Sequence, residues 1–352
     1  MSGWQVWPAW FGVALVLAAL LTRRIIGWAE ALGVVDRPNS RSSHSRVTPR
    51  GGGAAIVAGT VLAAGVAGLC DPSAAFRLAG AVLPAVAVAV VSWIDDVRTL
   101  PNRVRFSVHL LAAAAATAAL GPIREIDLAG FGSLALGAAA WPLTILWIVG
   151  LTNAFNFMDG IDGIAGITAT AAGLGLAAVA RLGGCPAVAA VALAFAGAAV
   201  GFLTCNWPPA RIFMGDVGSA FCGFLIAVLP LAVPPEAVAG TVPVAVLALW
   251  PFIFDTGFTL VRRLRRGENV FQAHRSHLYQ RLVITGRSHR TISTLYGWLA
   301  ACGAGLAVAP LVNPAARGPI APLAVAFAAA TGCCLVILTA LAERCRPSTP
   351  AA

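Results

Sequence analysis

Five carboxylates in three short, glycine-bearing segments are the residues of this chain best placed to do chemistry. Asp95 and Asp96 stand side by side in SWIDDVRTLPNR. Asp159 and Asp162 lie three residues apart in NAFNFMDGIDGIAG, and Asp216 ends the FMGD of NWPPARIFMGDVGS. Between Leu128 and Ala180, Asp159 and Asp162 are the only charged side chains. Charges near membrane depth are costly and usually functional. Taken singly, each aspartate fits a solvated helix end or an N-cap. Taken together, with Gly160, Gly163, Gly215 and Gly218 beside them, they read as a site where backbone can approach a ligand closely. Those glycines would also suit helix packing through small residues. Asp159 and Asp162 share a face only if their segment is helical. Asp95 and Asp96, being adjacent, would point about 100° apart on a helix, so one can act while the other pairs or caps.

Hard oxygen ligands without a His/Cys cluster favour Mg²⁺, with Mn²⁺ as the alternative, over zinc. Magnesium takes one or two carboxylates plus substrate phosphates. All 24 basic residues are arginine, which suits phosphate oxygens. Arg23, Arg24, Arg262, Arg263, Arg265 and Arg266 fit equally well as topology signals meeting anionic headgroups. His274, Arg275 and His277, in FQAHRSHLYQRL, form a second cluster that reads as substrate-binding; His109 and His289 receive no role. Carboxylates, a hard metal and arginines beside a membrane point to phosphoryl transfer from a nucleotide to a molecule in the bilayer.

The elements that must position these groups are membrane helices. The chain has 352 residues, 59% hydrophobic and only 11% charged, with mean hydropathy +0.84. Soluble domains average about 25% charged residues. Continuous Ala/Leu/Val-rich runs of about 20 residues call for helices, not the alternating segments of a barrel. Eleven spans are expected, near 8–27, 52–69, 79–94, 104–120, 134–152, 164–181, 187–205, 218–233, 240–261, 293–311 and 320–341. Twenty arginines fall in one set of connections and four (Arg77, Arg124, Arg181, Arg317) in the other. The positive-inside rule then puts the N-terminus in the periplasm and the C-terminus in the cytoplasm. Arg23 and Arg24 follow the first apolar run, the reverse of a signal peptide, so that run should be retained. The expectation is an all-α polytopic integral membrane protein forming a single transmembrane transferase domain. Its catalytic cytoplasmic loops lie near 28–51, 95–103, 153–163, 206–217 and 262–292.

These motifs, in this order, resemble the polyprenyl-phosphate N-acetylhexosamine-1-phosphate transferase family. DRPNSRSSHSRVTPRGGG resembles its first cytoplasmic loop and WIDDVRTLP its aspartate-pair motif. NAFNFMDGIDGIAG and NWPPARIFMGDVGS resemble the next two loops, and AHRSHLYQRL the histidine loop of the branch that initiates O-antigen and enterobacterial common antigen. The resemblance implies that Asp216 ligates Mg²⁺ and that Asp95, supported by Asp96, activates the lipid phosphate. It implies that Asn156 and Asp159 line the diphosphate site, Asp159 counting with the catalytic groups. Asp162, Asn206, His274, Arg275 and His277 would bind substrate, Asp162 in a secondary and partly structural way. The implied partners are UDP-N-acetylhexosamine, undecaprenyl phosphate and the bilayer of the bacterial inner membrane, with the site facing the cytoplasm. No nucleic acid is expected, and a homodimer is left open.

The implied reaction yields undecaprenyl-diphospho-sugar and UMP, the first membrane step of O-antigen or another surface polysaccharide. The peptidoglycan branch, phospho-N-acetylmuramoyl-pentapeptide transferase, carries three successive histidines where this chain has His-Arg-Ser-His, which argues against its substrate. Single displacement by the lipid phosphate is preferred over a two-step route through Asp159. Two other classes are a transporter or flippase and a non-catalytic scaffold. A transporter would place its charges near span midpoints and show repeats, and neither is visible in the sequence.

Overall fold

The computed structural model describes residues 7–38, 46–127, 133–269, 272, 274–313 and 317–345. Residues 39–45 of the first expected loop, with Arg41, and Arg346 at the C-terminus lie outside these. Thirteen α-helices dominate the described residues. In chain order they are α1 Trp7–Leu32, α2 Ala54–Cys70, α3 Pro72–Arg98, α4 Asn102–Leu120, α5 Ala140–Met158, α6 Ile164–Leu182 and α7 Pro186–Asn206. After these come α8 Asp216–Val228, α9 Pro235–Ala248, α10 Trp250–Arg265, α11 Leu278–Ile284, α12 His289–Val312 and α13 Arg317–Arg344. Two small antiparallel hairpins complete the set, β1 (Val35–Asp36) with β2 (Thr48–Pro49) and β3 (Glu125–Asp127) with β4 (Ser133–Ala135).

Each of the eleven expected spans overlaps a helix. Among the described residues, seven helices are long and apolar enough to cross a membrane, and an eighth crossing arises if α9 and α10 act as one bent span. The chain is an all-α, multi-pass membrane protein. The expected span 240–261 is two helices meeting at Leu249 with a bend of 62°. Pro251 at the start of α10 supplies no N–H to continue the ladder of α9. The span expected at 134–152 begins later, because β4 and a 3-10 turn occupy 133–139 and Pro142 sits in the first turn of α5. Consequently NAFNFM, expected in a loop, forms the last turns of α5, and Asp95 and Asp96 sit on the last turn of α3.

Helix α7 is the central element, with 78% of its most apolar window buried. It packs against α1, α2 and α6. Gly197 and Gly201, four apart, let α1 come to backbone contact: a Cβ on either would overlap a carbonyl oxygen, of Phe11 or of Leu15. Small residues at this spacing are how helices associate where lipid removes the hydrophobic drive. Helix α8 is equally buried and packs against α3 and α5. The ends of α3, α5 and α8 therefore converge, and they carry the aspartates.

Candidate active site

The GGG of the first loop and the FMGD segment are zipped together by backbone. Phe213 N–H donates to the Pro49 carbonyl (2.8 Å), Gly52 N–H to Phe213 (3.0 Å) and Gly53 N–H to Met214 (2.9 Å). A side chain on Gly53 would overlap Gly218 backbone, so only glycine permits this approach. Gly215, at φ +74°, turns the chain into α8. The Asp96 carboxylate caps that helix, accepting Asp216 N–H and Val217 N–H at 3.1 Å each, with Arg50 Nη2 at 3.2 Å. A carboxylate on these amides is favoured by both orphan donors and helix dipole. Asp96 is thus the capping member of the pair, 1% exposed.

Asp95 points elsewhere. Its carboxylate accepts Leu100 N–H at 2.5 Å and Arg105 Nη1 at 2.7 Å. The same Arg105 nitrogen lies 3.2 Å from Asp216 Oδ2, so one guanidinium links Asp95 to Asp216. Asp216 retains 23% side-chain exposure. Asn156, on the last turn of α5, accepts from Ser219 Oγ at 2.5 Å, which ties α5 to the first turn of α8.

Asp159 terminates α5. The residues after it are not helical, so Asp159 and Asp162 do not share a helix face. Asp159 is half-buried, and among the described residues no donor reaches its carboxylate. Burial, then the neighbouring carboxylates of Asp216 and Asp96, raise its pKa to about 7, against a smaller pull from Arg50. Negative charge is concentrated here beyond what the arginines neutralise.

Asp162 and Asn206 brace the loops around this cleft. Asp162 accepts Ala210 N–H at 3.0 Å and lies 3.3 Å from His289 Nδ1, while its carbonyl accepts Ser293 Oγ at 2.7 Å. Asn206 is buried and uses both ends of its amide, accepting Gly163 N–H and donating to the Ile212 carbonyl, each at 2.9 Å. The histidine loop divides likewise. Burial, then the nearby His277 and Arg263, lower the His274 pKa to about 4, so it is neutral at pH 7; its Nδ1 lies 2.9 Å from Ser276 Oγ. Arg275 is half-buried beside it. His277 turns inward, 3.2 Å from the Asp255 carboxylate.

Three residues escape sequence reasoning. Arg50 and Arg105 are not singled out there from the other loop arginines, although they pair with the carboxylates of the cleft. Asp255 lies inside an apolar span and is fully buried; its only sequence signal is being the lone acid of α10.

Whether the donor set fits a hard cation follows from these contacts. No group of three metal-ligating side chains occurs among the described residues. Asp216 is partly exposed and Asp159 has no donor, both beside further carboxylates. That set fits a magnesium ion arriving with phosphate oxygens, not one held in an all-protein cage.

The glycosyl transferase family 4 profile matches residues 78–233, which span α3 to α8 and hold all five aspartates named from the sequence. A probable undecaprenyl-phosphate N-acetylglucosaminyl 1-phosphate transferase of Bacillus subtilis is 32% identical over 286 residues, 80% of this chain and 78% of that protein. The decaprenyl-phosphate N-acetylglucosaminephosphotransferase of Mycobacterium tuberculosis is 30% identical over 340 residues, covering 86% and 82%. A phospho-N-acetylmuramoyl-pentapeptide-transferase of Synechococcus sp. is 30% identical over 307 residues, covering 82% and 87%. With relatives matched across most of both chains and the aspartates gathered at the ends of α3, α5 and α8, the chain belongs to the polyprenyl-phosphate hexosamine-1-phosphate transferase family.

Proposed function

We propose that this chain transfers N-acetylhexosamine 1-phosphate from a UDP-sugar to undecaprenyl phosphate, releasing UMP and leaving undecaprenyl-diphospho-sugar. The carrying observation is the cleft itself: Asp95, Asp96, Asp159 and Asp216 around Arg50 and Arg105, at the ends of α3, α5 and α8. On the eleven-span reading, twenty of 24 arginines lie in the connections on that side, which supports a cleft facing the cytoplasm of a bacterial inner membrane.

A lipid-phosphate oxygen attacks the β-phosphorus of the donor. The bond from that phosphorus to the bridging oxygen breaks, and the oxygen departs with UMP; the sugar stays on its phosphate. Lipid phosphate is largely ionised near pH 7, so positioning and charge neutralisation carry the rate. Arg105, held between Asp95 and Asp216, and Arg50, held by Asp96, present guanidinium N–H groups to phosphate oxygens. Asp95 orients Arg105 and the incoming phosphate. Asp216 would hold a Mg²⁺ ion, which when bound would neutralise charge on the phosphate oxygens of the departing UMP. Asn156 and Asp159 line the donor site from α5, and neutral His274 with Arg275 faces the sugar nucleotide. Asp162, Asn206 and His277 act on substrate through the loops they brace.

The relatives named for N-acetylglucosamine make UDP-N-acetylglucosamine the first donor to try, and synthesis of O-antigen or another surface polysaccharide the pathway to test. The Synechococcus relative keeps a muramoyl-pentapeptide donor on the panel. The test is UMP release by the purified full chain with undecaprenyl phosphate, Mg²⁺ and that panel of UDP-sugars. The expected result is lipid-dependent UMP release with a hexosamine donor, abolished in Asp216→Ala and Asp95→Asn. Intact turnover in both variants overturns the site, and UMP release without lipid acceptor overturns single displacement in favour of an intermediate on the enzyme.

A further inference from the structure

Asp255 is the most completely satisfied carboxylate among the described residues, and the proposed chemistry does not use it. It sits one turn into α10, just past the bend at Leu249, at 0% exposure. Five donors reach it. Its Oδ1 accepts from Leu278 N–H (2.8 Å), from Thr259 Oγ1 and from His277 Nδ1 (both 3.2 Å). Its Oδ2 accepts from Tyr296 Oη (2.8 Å) and Tyr279 N–H (3.1 Å). One carboxylate thereby caps α11, fixes the His277 ring and pins α12. The His277 contact is a donation in the tautomer that carries its hydrogen on Nδ1.

Tyr279 extends this hub to the cleft. Its ring is fully buried. Its hydroxyl donates to the Phe157 carbonyl at 3.1 Å and abuts Gly160, where any Cβ would collide with it. Phe157 and Gly160 flank Asp159. Two hydrogen bonds, Asp255 to the Tyr279 amide and Tyr279 hydroxyl to Phe157, therefore connect the histidine loop to the segment bearing Asp159. Farther along α10, Arg262 donates to the Ser276 carbonyl at 2.5 Å and Arg263 to those of Asn269 and Gln272, so the same helix holds the loop from both ends.

We propose that Asp255 is a positioning residue: through Tyr279 it sets the register between the His274–His277 loop and the Asp159 segment, and so the fit of the sugar nucleotide between them. The kinetic part rests on the proposed donor; the structural part does not. The test uses the full chain in detergent and compares Asp255→Asn, Tyr279→Phe and the double variant. Hydrogen exchange should quicken at 157–160 in all three, and at 278–280 only where Asp255 is changed, with α1 and α7 as in wild type. The KM for UDP-sugar should rise about tenfold, while the KM for undecaprenyl phosphate and kcat stay within about threefold. The double variant should be no worse than the poorer single one, because both act on one link. Wild-type exchange at 157–160 in the folded variants overturns the proposal, as does an equal rise in both KM values. Should Asp255→Asn fail to fold, Tyr279→Phe, which loses one hydroxyl, decides by the same readouts. A wild-type chain that turns over no donor refutes the proposed function, and the exchange data still decide this inference.

Discussion

The acidic cleft and the Asp255 hub place the same side chain in opposite circumstances. In the cleft, four carboxylates share two arginines and one helix terminus, and no donor among the described residues reaches Asp159. In the hub, one carboxylate accepts from five donors and sees no solvent. A buried charge is tolerated when its lone pairs are filled. The hub meets that condition within the chain; the cleft does not, which suits the cation and phosphate ligands proposed for it. Burial alone does not separate the two regions, since the Asp96 side chain is as buried as that of Asp255. Donor count separates the extremes: five on Asp255, none among the described residues on Asp159, with Asp95 and Asp96 between them.

The sharpest way to break this contrast is a pair of alanine variants. Asp216→Ala should lower kcat/KM for UMP release by about 10²–10³-fold or more, with thermal unfolding little changed, because Asp216 is partly exposed and beside like charges. Asp255→Ala should destabilise the chain by about 3–5 kcal/mol, since it strands five donors, two of them backbone amides. Thermal unfolding in detergent measures both. Equal losses of stability would mean that the cleft is as structural as the hub.

Asp159 sharpens the comparison through pH. Its folded pKa, about 7, lies above the unfolded value of about 4. Between those values the folded state binds more protons than the unfolded one, so stability from this group falls as pH rises through that window. The Asp159→Asn variant lacks the penalty. In chelator-treated protein its melting temperature should exceed that of wild type at pH 8, and the gap should narrow as pH falls and close below about pH 4. A gap independent of pH would show that Asp159 is not the group under electrostatic strain. Activity should move the other way, with Asp159→Asn losing most UMP release.

Much of this was legible in the sequence, and the exceptions share a cause. The apolar runs located the helices because a segment in lipid must satisfy its own backbone. The aspartates of DD, NFMDGID and FMGD stood out because each lies among glycines at a span end. Asp255 did not, because its meaning lies in partners far along the chain: the 278 and 279 amides and Tyr296 hydroxyl are 23, 24 and 41 residues away. Arg105 looked like one more topology arginine until folding set it between Asp95 and Asp216. The family resemblance makes Asp162 and Asn206 substrate-binding, Asp162 in a secondary and partly structural way; what the sequence does not show is that both also hold the loops together, through Ala210 and His289 and through Gly163 and Ile212. The bend at Leu249 was hidden because α9 and α10 are both apolar and no polar residue separates them.

The smallest expected effect tests whether α11 is positioned by the hub alone. Arg281 on α11 reaches Glu343 on α13 with two contacts, Nε to Oε1 at 2.7 Å and Nη2 to Oε2 at 2.5 Å. The geometry is bidentate, yet Glu343 is 41% exposed, so water and salt screen the pair. Exposed pairs of this kind contribute about 0–1 kcal/mol. Arg281→Ala should therefore leave the KM for UDP-sugar unchanged and shift unfolding by about 0.5 kcal/mol at low salt, less at high salt. The Asp255 link, desolvated and filled with donors, should be indifferent to salt. If Arg281→Ala raised the KM as far as Asp255→Asn does, α11 would be held from the side of α13. The hub would then share its positioning role with a contact that any rise in ionic strength weakens.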